Sequence, residues 1–337
     1  MAAVDSNPIT SAVPSSSPIT SVSPYAPAPP LYSTGATNPG LLSRLNLDLR
    51  GTIFPVDRET LMLLPESVLL GLFPQGLILS KPATEVGGDD GVFTVDFDPD
   101  CFQYILSFWS TAQSSFYGTP LSPGLFHAQQ SLALDPTLGG ADGSQNPLLS
   151  KQAIIVLREE LEYFSITVPG ALARTEMTTG MPNEELREMK RQCGKALAER
   201  KSIFTALQRN VNKENNLAEQ HLIDMLCMSG FSRDDAWGFR ACEPTRNIIS
   251  SMALVLLKTG IVHPGDPDAE QGATQPTVDP EQMATAQKLL LFWRKPARKC
   301  WWDGVEVDIP ASSSAKGETI KAKVWARRVW TLELSLI

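Results

Sequence analysis

The chain has little histidine, no paired cysteines and no long apolar run, and each shortage removes a class of function. Of 337 residues only 3 are His, spread over His127, His221 and His263. No Gly-x-Ser-x-Gly, His-Glu-x-x-His or phosphate-cradling glycine loop is present. The expectation is a protein that is not an enzyme and takes no cofactor. The 5 Cys (101, 193, 227, 242 and 300) are odd in number and form no Cys-x-x-Cys pair. That pattern suits buried thiols in a reducing cytoplasm rather than disulfides. His221, Cys227, Cys242 and His263 offer the atoms of a zinc site, but their spacing matches no common finger, so no metal is expected. The longest apolar run, Met252 to Leu257, stops at Lys258, far short of the roughly 18 residues of a membrane span. The first residues show neither a basic region nor the apolar stretch of a secretion signal. The net charge of −8 gives no general reason to bind nucleic acid.

Residues 1–40 hold 8 Pro, 8 Ser and 4 Thr, with one acid and no base. Too little apolar surface exists there to offset the entropy of ordering, so the segment reads as a disordered tail. Order is expected from Leu41. Leu45, Leu47 and Leu49 alternate with polar residues, the period of a half-buried strand. Arg50-Gly51 can turn it, and Thr52 to Val56 returns. Asp57 can cap a short helix, and Val68, Leu69, Leu72 and Phe73 mark a second. Val92 to Val95 reads as a strand. Asp98 is a helix cap with Pro99 at the first position, and Phe102, Ile105, Leu106 and Trp109 share one face. Residues 112–147 are rich in Gly and Pro and read as a long loop. Gln152 to Ser165 reads as a helix.

From Glu184 to Val211 the apolar residues Leu186, Met189, Cys193, Leu197, Phe204, Leu207 and Val211 follow steps of three and four. This is an amphipathic helix, docked on its own domain or paired as a short coiled coil. Three helices are then expected: one capped by Asn216 and ended by Gly230, one near Ser232 to Ala241, and one from Pro244 through the apolar stretch Ile248 to Leu257. The spacing around Met228-Ser-Gly-Phe231 is similar to a ubiquitin-associated domain. Residues 264–284 read as a linker. Leu289 to Trp293 and Val324 to Leu336 read as β-type runs. From Lys288 onward there are 10 bases and 5 acids, so this segment is +5 and the remainder −13. Five of the 7 tryptophans (293, 301, 302, 325 and 330) lie there too. Basic and aromatic residues together suit a buried β-unit, a protein-binding face, anionic lipid or RNA. No recognisable RNA fold surrounds them.

Three segments in one order resemble a BTB/POZ domain of the potassium-channel-tetramerisation type: Leu47–Leu61 (LDLRGTIFPVDRETL), Phe93–Leu106 (FTVDFDPDCFQYIL) and Leu157–Ile166 (LREELEYFSI). The resemblance implies a protein-binding module over residues 41–170, with 112–147 as an insertion. It places Arg50, Gly51, Phe54, Asp96, Phe97 and Asp98 near a self-association interface. Arg50 departs from the glycine of many members.

Further segments are similar to a fungal growth-regulation and general-stress-response family of phosphatase activators. They are Ala218–Phe231 (AEQHLIDMLCMSGF), Trp237–Arg240 (WGFR), Glu243–Arg246 (EPTR), Leu289–Trp302 (LLLFWRKPARKCWW) and Val324–Leu334 (VWARRVWTLEL). This likeness implies a non-catalytic adaptor whose partner is a phosphatase of the haloacid-dehalogenase type and which restrains target-of-rapamycin signalling. Membrane contact would be indirect, with a cytoplasmic protein recruited to the cell periphery. Candidate partner-binding residues are Trp237, Arg240, Arg246, Arg294, Lys295, Trp301, Trp302, Arg327, Arg328 and Trp330. The other class of function that the BTB resemblance implies is a substrate receptor of a cullin-type ubiquitin ligase. The expected architecture is α+β: a BTB/POZ fold, a helical region over 182–260, and a small Trp-rich β-unit over 285–337 packed on it.

Overall fold

The computed structural model describes residues 42–77, 92–133, 146–166, 184–208, 217–310 and 319–337. The expected tail at 1–40, the Asn216 cap and Val211 lie outside them. The described chain from Leu42 onward is mixed α and β, as expected.

It begins with a hairpin of β1 (Arg44–Leu49) and β2 (Thr52–Asp57). Leu45, Leu47 and Leu49 point inward, as their alternation requires. The turn is Arg50-Gly51, with φ of 51° and 93°. Two left-handed residues suit the right-handed twist of the flanking strands. The Asp48 carboxylate holds the turn by accepting the Gly51 N–H at 2.7 Å. Two short helices follow, α1 (Arg58–Met62) and α2 (Glu66–Leu72). β3 (Val92–Val95) then lies parallel to β1 and completes a sheet ordered β2-β1-β3. The long helix α3 (Pro99–Tyr117) starts at Asp98, whose side chain accepts the Cys101 N–H at 3.0 Å. It buries Phe102, Ile105, Trp109, Ala112 and Phe116. The expected loop at 112–147 is more structured than its composition suggests. It contains the end of α3, a small hairpin of β4 (Gly118–Thr119) and β5 (Ser122–Pro123), and α4 (Leu125–Ala133).

The centre of the molecule is a five-stranded antiparallel sheet. Its strands are β6 (Ala153–Ile166), β7 (Phe239–Cys242), β8 (Ile248–Leu256), β11 (Ala297–Pro310) and β12 (Thr319–Leu336), ordered β11-β12-β6-β8-β7. Between them run α5 (Glu184–Ala198), α6 (Leu217–Ser229), the small pair β9 (Ile261–Val262) and β10 (Thr277–Val278), and α7 (Pro280–Trp293).

Five expectations are overturned here, and the region 182–260, expected to be helical, contributes two strands to the sheet. Gln152 to Ser165 is not a helix but β6, the middle strand. Ile248 to Leu257 is not a helix but β8. Ser232 to Ala241 is a turn leading into β7. With two of its three helices absent, the ubiquitin-associated likeness fails. Leu289 to Trp293, read as β, is the end of α7, which starts inside the expected linker. There Asp279 caps it by accepting the Glu281 N–H at 2.9 Å.

The cause of the first two is burial on both faces. Ile154 and Val156 face a core with Leu47, Phe102, Ile105, Trp109 and Met252. Ile155 and Leu157 face another with Phe204, Ile223, Leu226, Met283 and Leu290. A strand covered on both sides loses its alternation and reads as a plain apolar run, which periodicity cannot distinguish from a buried helix. The β-branched Ile154, Ile155 and Val156 favour the strand. A third core lies at the far end, where Met189, Cys193 and Leu197 of α5 meet Leu161, Tyr163, Val305, Val307 and Val324. The amphipathic helix is therefore docked on its own sheet. It ends at Ala198, and Phe204 and Leu207 belong to the core under α6 and α7.

Candidate functional site

Two clusters gather most of the polar candidates, and an exposed tier of rings gathers the aromatic ones. The first cluster sits where the β1–β2 turn meets the sheet. Its cleft of about 190 Å³ is lined by Arg50, Asp96, Asp98, Arg158, Glu243 and Arg246 among others. Arg50 donates to Asp96 Oδ1 at 2.8 Å and to Glu243, and stands 3.7 Å from Asp98. Burial works against the charge on Arg50, but the hydrogen bonds to Asp96 and Glu243 outweigh it, and its pKa lies above the usual guanidinium value. Arg246 reaches the other Asp96 oxygen at 3.2 Å. Phe54 and Phe97 are half-buried and meet Phe102 edge-on, with ring centroids 5.2 and 6.4 Å away. Gly51 and the Asp96 side chain remain exposed. The six residues proposed for self-association thus converge on one region, and three of them are tied to each other within the chain.

The second cluster is buried. The Glu159 carboxylate, on β6, lies between two guanidinium groups. Arg240 of β7 donates to one oxygen at 2.7 Å, and Arg328 of β12 donates to the other. Arg240 also donates to Ser251 Oγ at 2.5 Å and to the Leu197 carbonyl at 3.2 Å. The side chains of Glu159 and Arg240 are 1% and 5% exposed. Removing water strengthens such a triad electrostatically but carries a large desolvation penalty, while removing one partner would leave an uncompensated buried charge. The triad ties β6 to β12 and, across β8, to β7. Sequence reasoning proposed Arg240 and Arg328 but missed Glu159. The signal was charge at 158–160 directly after the apolar run Ala153–Leu157.

The tryptophans divide. Trp237 and Trp330 are core residues, 7% and 3% exposed. Trp301 is half-buried, with the Lys299 ammonium 5.6 Å and the Arg328 guanidinium 6.0 Å from its ring centroid. Lys299 is paired with Glu219 of α6. Trp302 is 50% exposed and stacks on Trp325, which faces Phe164 across the register. The Trp302 ring lies 6.1 Å from Phe164 and 6.3 Å from Trp325, at 27° and 20°. These rings stand on neighbouring strands β6, β12 and β11 and form one exposed apolar tier. Gly304 makes room, since a Cβ there would meet the Trp325 ring at 3.3 Å. Arg327 lies beside the tier and pairs with Glu162 at 2.9 Å. Phe164 and Trp325 were missing from the candidates. The alternation Lys321, Lys323, Trp325, Arg327 carried the signal, because it places all four on one strand face. Arg294 and Lys295 are exposed at the end of α7.

Buried thiols are held protonated. Burial pushes Cys101 up to about 12 and Cys193 up to about 11. Among the described residues, no group of three or more His, Cys, Asp or Glu is placed to hold a metal ion. His263 instead meets Gln129, with nitrogens 3.0 Å apart, and its pKa is lowered by burial. Among the described residues, no helix is long and apolar enough to cross a membrane.

No family model matches the chain. A WHI2-like protein of Schizosaccharomyces pombe is 36% identical over 291 residues, covering 86% of this chain and 86% of that protein. A growth regulation protein of Saccharomyces cerevisiae is 27% identical, over 88% of this chain and 91% of its own. An uncharacterised protein of Schizosaccharomyces pombe is 20% identical over 87% of each. On that identity and coverage the chain belongs to the WHI2-like family.

Proposed function

We propose that this chain is a non-catalytic adaptor in growth regulation. It holds a protein phosphatase of the haloacid-dehalogenase type near its target and so restrains target-of-rapamycin signalling. Tethering acts by raising effective concentration, which requires a binding face and no chemistry of the adaptor's own. The observation that carries this reading is the exposed tier of Phe164, Trp325 and Trp302 with Arg327 beside it. Tryptophan and arginine lead the composition of binding hot spots, and large exposed apolar patches mark interaction sites. The name of the budding-yeast relative, a growth regulation protein, supports the process. The protein would work in the cytoplasm and gather at the cell periphery with its partner.

The test is Trp302→Ala with Trp325→Ala in the tagged full-length chain. Both rings are only half exposed and stack on each other, so the double variant should lose on the order of 1–2 kcal/mol of stability and still fold, which a melting curve checks. Phosphatase recovery from a fungal lysate should fall sharply, and undiminished recovery would sink the proposed face. The second reading is a cullin adaptor. What favours it is the order of hairpin, parallel strand and Asp98-capped helix, the order that the BTB/POZ resemblance calls for. Cullin in place of phosphatase in the same eluate would select it. Self-association belongs to the same proposal. With Arg50, Asp96 and Asp98 already paired, a second subunit would meet the exposed side of Gly51 and Asp96.

A further inference from the structure

The outer face of α7 has a composition that neither core packing nor the aromatic tier explains. The helix buries Met283, Ala286, Leu289 and Leu290 against the sheet. Directly opposite, Lys288, Leu291 and Phe292 follow the spacing i, i+3, i+4 and form one stripe, with Arg294 and Lys295 just past the helix end. Leu291 and Phe292 are 79% and 72% exposed. Exposed large apolar side chains are ordinary when single. Two adjacent ones at the end of a helix, each largely bare, are not.

The charges around them are of one sign. From Gln282 to Trp302 the sequence contains Lys288, Arg294, Lys295, Arg298 and Lys299 and no acid, in a chain whose net charge is −8. Lys299 pairs with Glu219. Arg298 turns to the other face of the sheet, into a cleft with Arg158 and Glu160. Lys288, Arg294 and Lys295 are exposed and form no ion pair with a described residue. Cations near a helix C-terminus favour its dipole, which accounts for some of this charge. It does not account for a Leu-Phe pair held out in water between lysines. Long basic side chains can lay their stems along apolar surface and lift their heads, which keeps such a stripe soluble.

We propose that this stripe docks directly on an anionic lipid bilayer, with Leu291 and Phe292 entering the headgroup boundary and Lys288, Arg294 and Lys295 on the lipid phosphates and carboxylates. A helix lying in the interface plane with an apolar ridge and basic flanks is the form such binding takes. The charge complementarity favours this occupant over an acidic protein. A protein hot spot buries its apolar anchors in a pocket ringed by mixed polar groups, whereas here the anchors project from a convex helix and the charges of the same helix end, Lys288, Arg294 and Lys295, are all basic. RNA is disfavoured because Phe292 is the one aromatic ring on the stripe, and single-strand binding needs successive stacking platforms. On this proposal the membrane contact, which the family resemblance implies to be indirect, would be direct.

The experiment is co-sedimentation of the purified full-length chain with phosphatidylserine-containing vesicles and with pure phosphatidylcholine vesicles. It needs no phosphatase, so its failure leaves the adaptor reading untouched. The wild type should pellet with the anionic vesicles only, and less so as salt is raised. Each basic residue near an anionic surface contributes roughly a fivefold factor, so Lys288→Gln with Lys295→Gln should weaken binding about twentyfold or more. Leu291→Ser with Phe292→Ser should abolish it, with thermal melting unchanged because both side chains are exposed. Absence of wild-type binding, equal binding to neutral vesicles, or binding unaffected by either double variant would overturn the proposal.

Discussion

Glu333 shows how a single side chain ties distant parts of the chain together. It lies on β12, 2% exposed, and accepts from the Ser67 N–H at 3.1 Å and the Ser67 hydroxyl at 2.5 Å, at the start of α2. Burial raises its pKa, and the Ser67 bonds only partly offset that. The folded state therefore holds this proton more tightly than the unfolded chain, whose carboxyl titrates near about 4.3. As pH rises from there through the folded value, the folded state binds more protons than the unfolded, so this group's contribution to stability declines. Glu333→Gln keeps an acceptor oxygen and cannot titrate. Melting temperature against pH should show a decline in the wild type over that window which the variant lacks. Parallel curves would mean that Glu333 does not sit as described. Nothing at position 333 announces this role in the sequence. A glutamate in the alternating run Leu332, Glu333, Leu334 reads as a solvent-facing residue, and only α2 lying over the sheet buries it. Asp98 is the opposite case. Its cap was legible because the partner N–H is three residues away.

At the scale of elements, α5 illustrates how close packing overrides local preference. Gly194 lies in the helix interior, where Ala is more favourable by about 0.8–1 kcal/mol. A Cβ there would meet the Tyr163 hydroxyl at 2.2 Å, well inside contact. Tyr163 is buried and its pKa is pushed up to about 12 by that burial. Overpacking costs about 1–3 kcal/mol, more than the propensity gain, so Gly194→Ala should lower stability by on the order of 1 kcal/mol. Denaturant melts check this, and adding Tyr163→Phe should recover part of the loss. A more stable Gly194→Ala protein would show that α5 is not seated against Tyr163. The amphipathic period of α5 was visible in Leu186, Met189, Cys193 and Leu197. The choice between self-docking and a coiled coil was not, since both bury the same stripe.

Over the whole molecule, the sheet is assembled from remote pieces. β6 pairs with β12 on one side and β8 on the other, so residues from the first half form the centre of a sheet whose other strands lie between Phe239 and Leu336. A fragment ending at residue 170 would keep β6 and lose both neighbours. It would expose two unpaired edges along an apolar strand, the arrangement most prone to aggregation. Residues 41–170 expressed alone should be insoluble or bind a hydrophobic dye strongly. A monomeric, cooperatively melting fragment would show that the N-terminal elements fold without the sheet.

The sequence by itself determined what depends on near neighbours. The Arg50-Gly51 turn, the Asp98-Pro99 helix start, the stripe of α5 and the long strand β12 follow from backbone geometry and short-range periodicity. Tertiary structure decided the rest. β6 and β8 are strands because both faces are covered, which erases the alternation that would have revealed them. The Glu159 triad and the tier of Phe164, Trp325 and Trp302 exist because strand register brings together residues far apart along the chain. It also settles which tryptophans are core and which are surface. That partition is a property of pairing, and no local pattern encodes a partner that the chain has yet to meet.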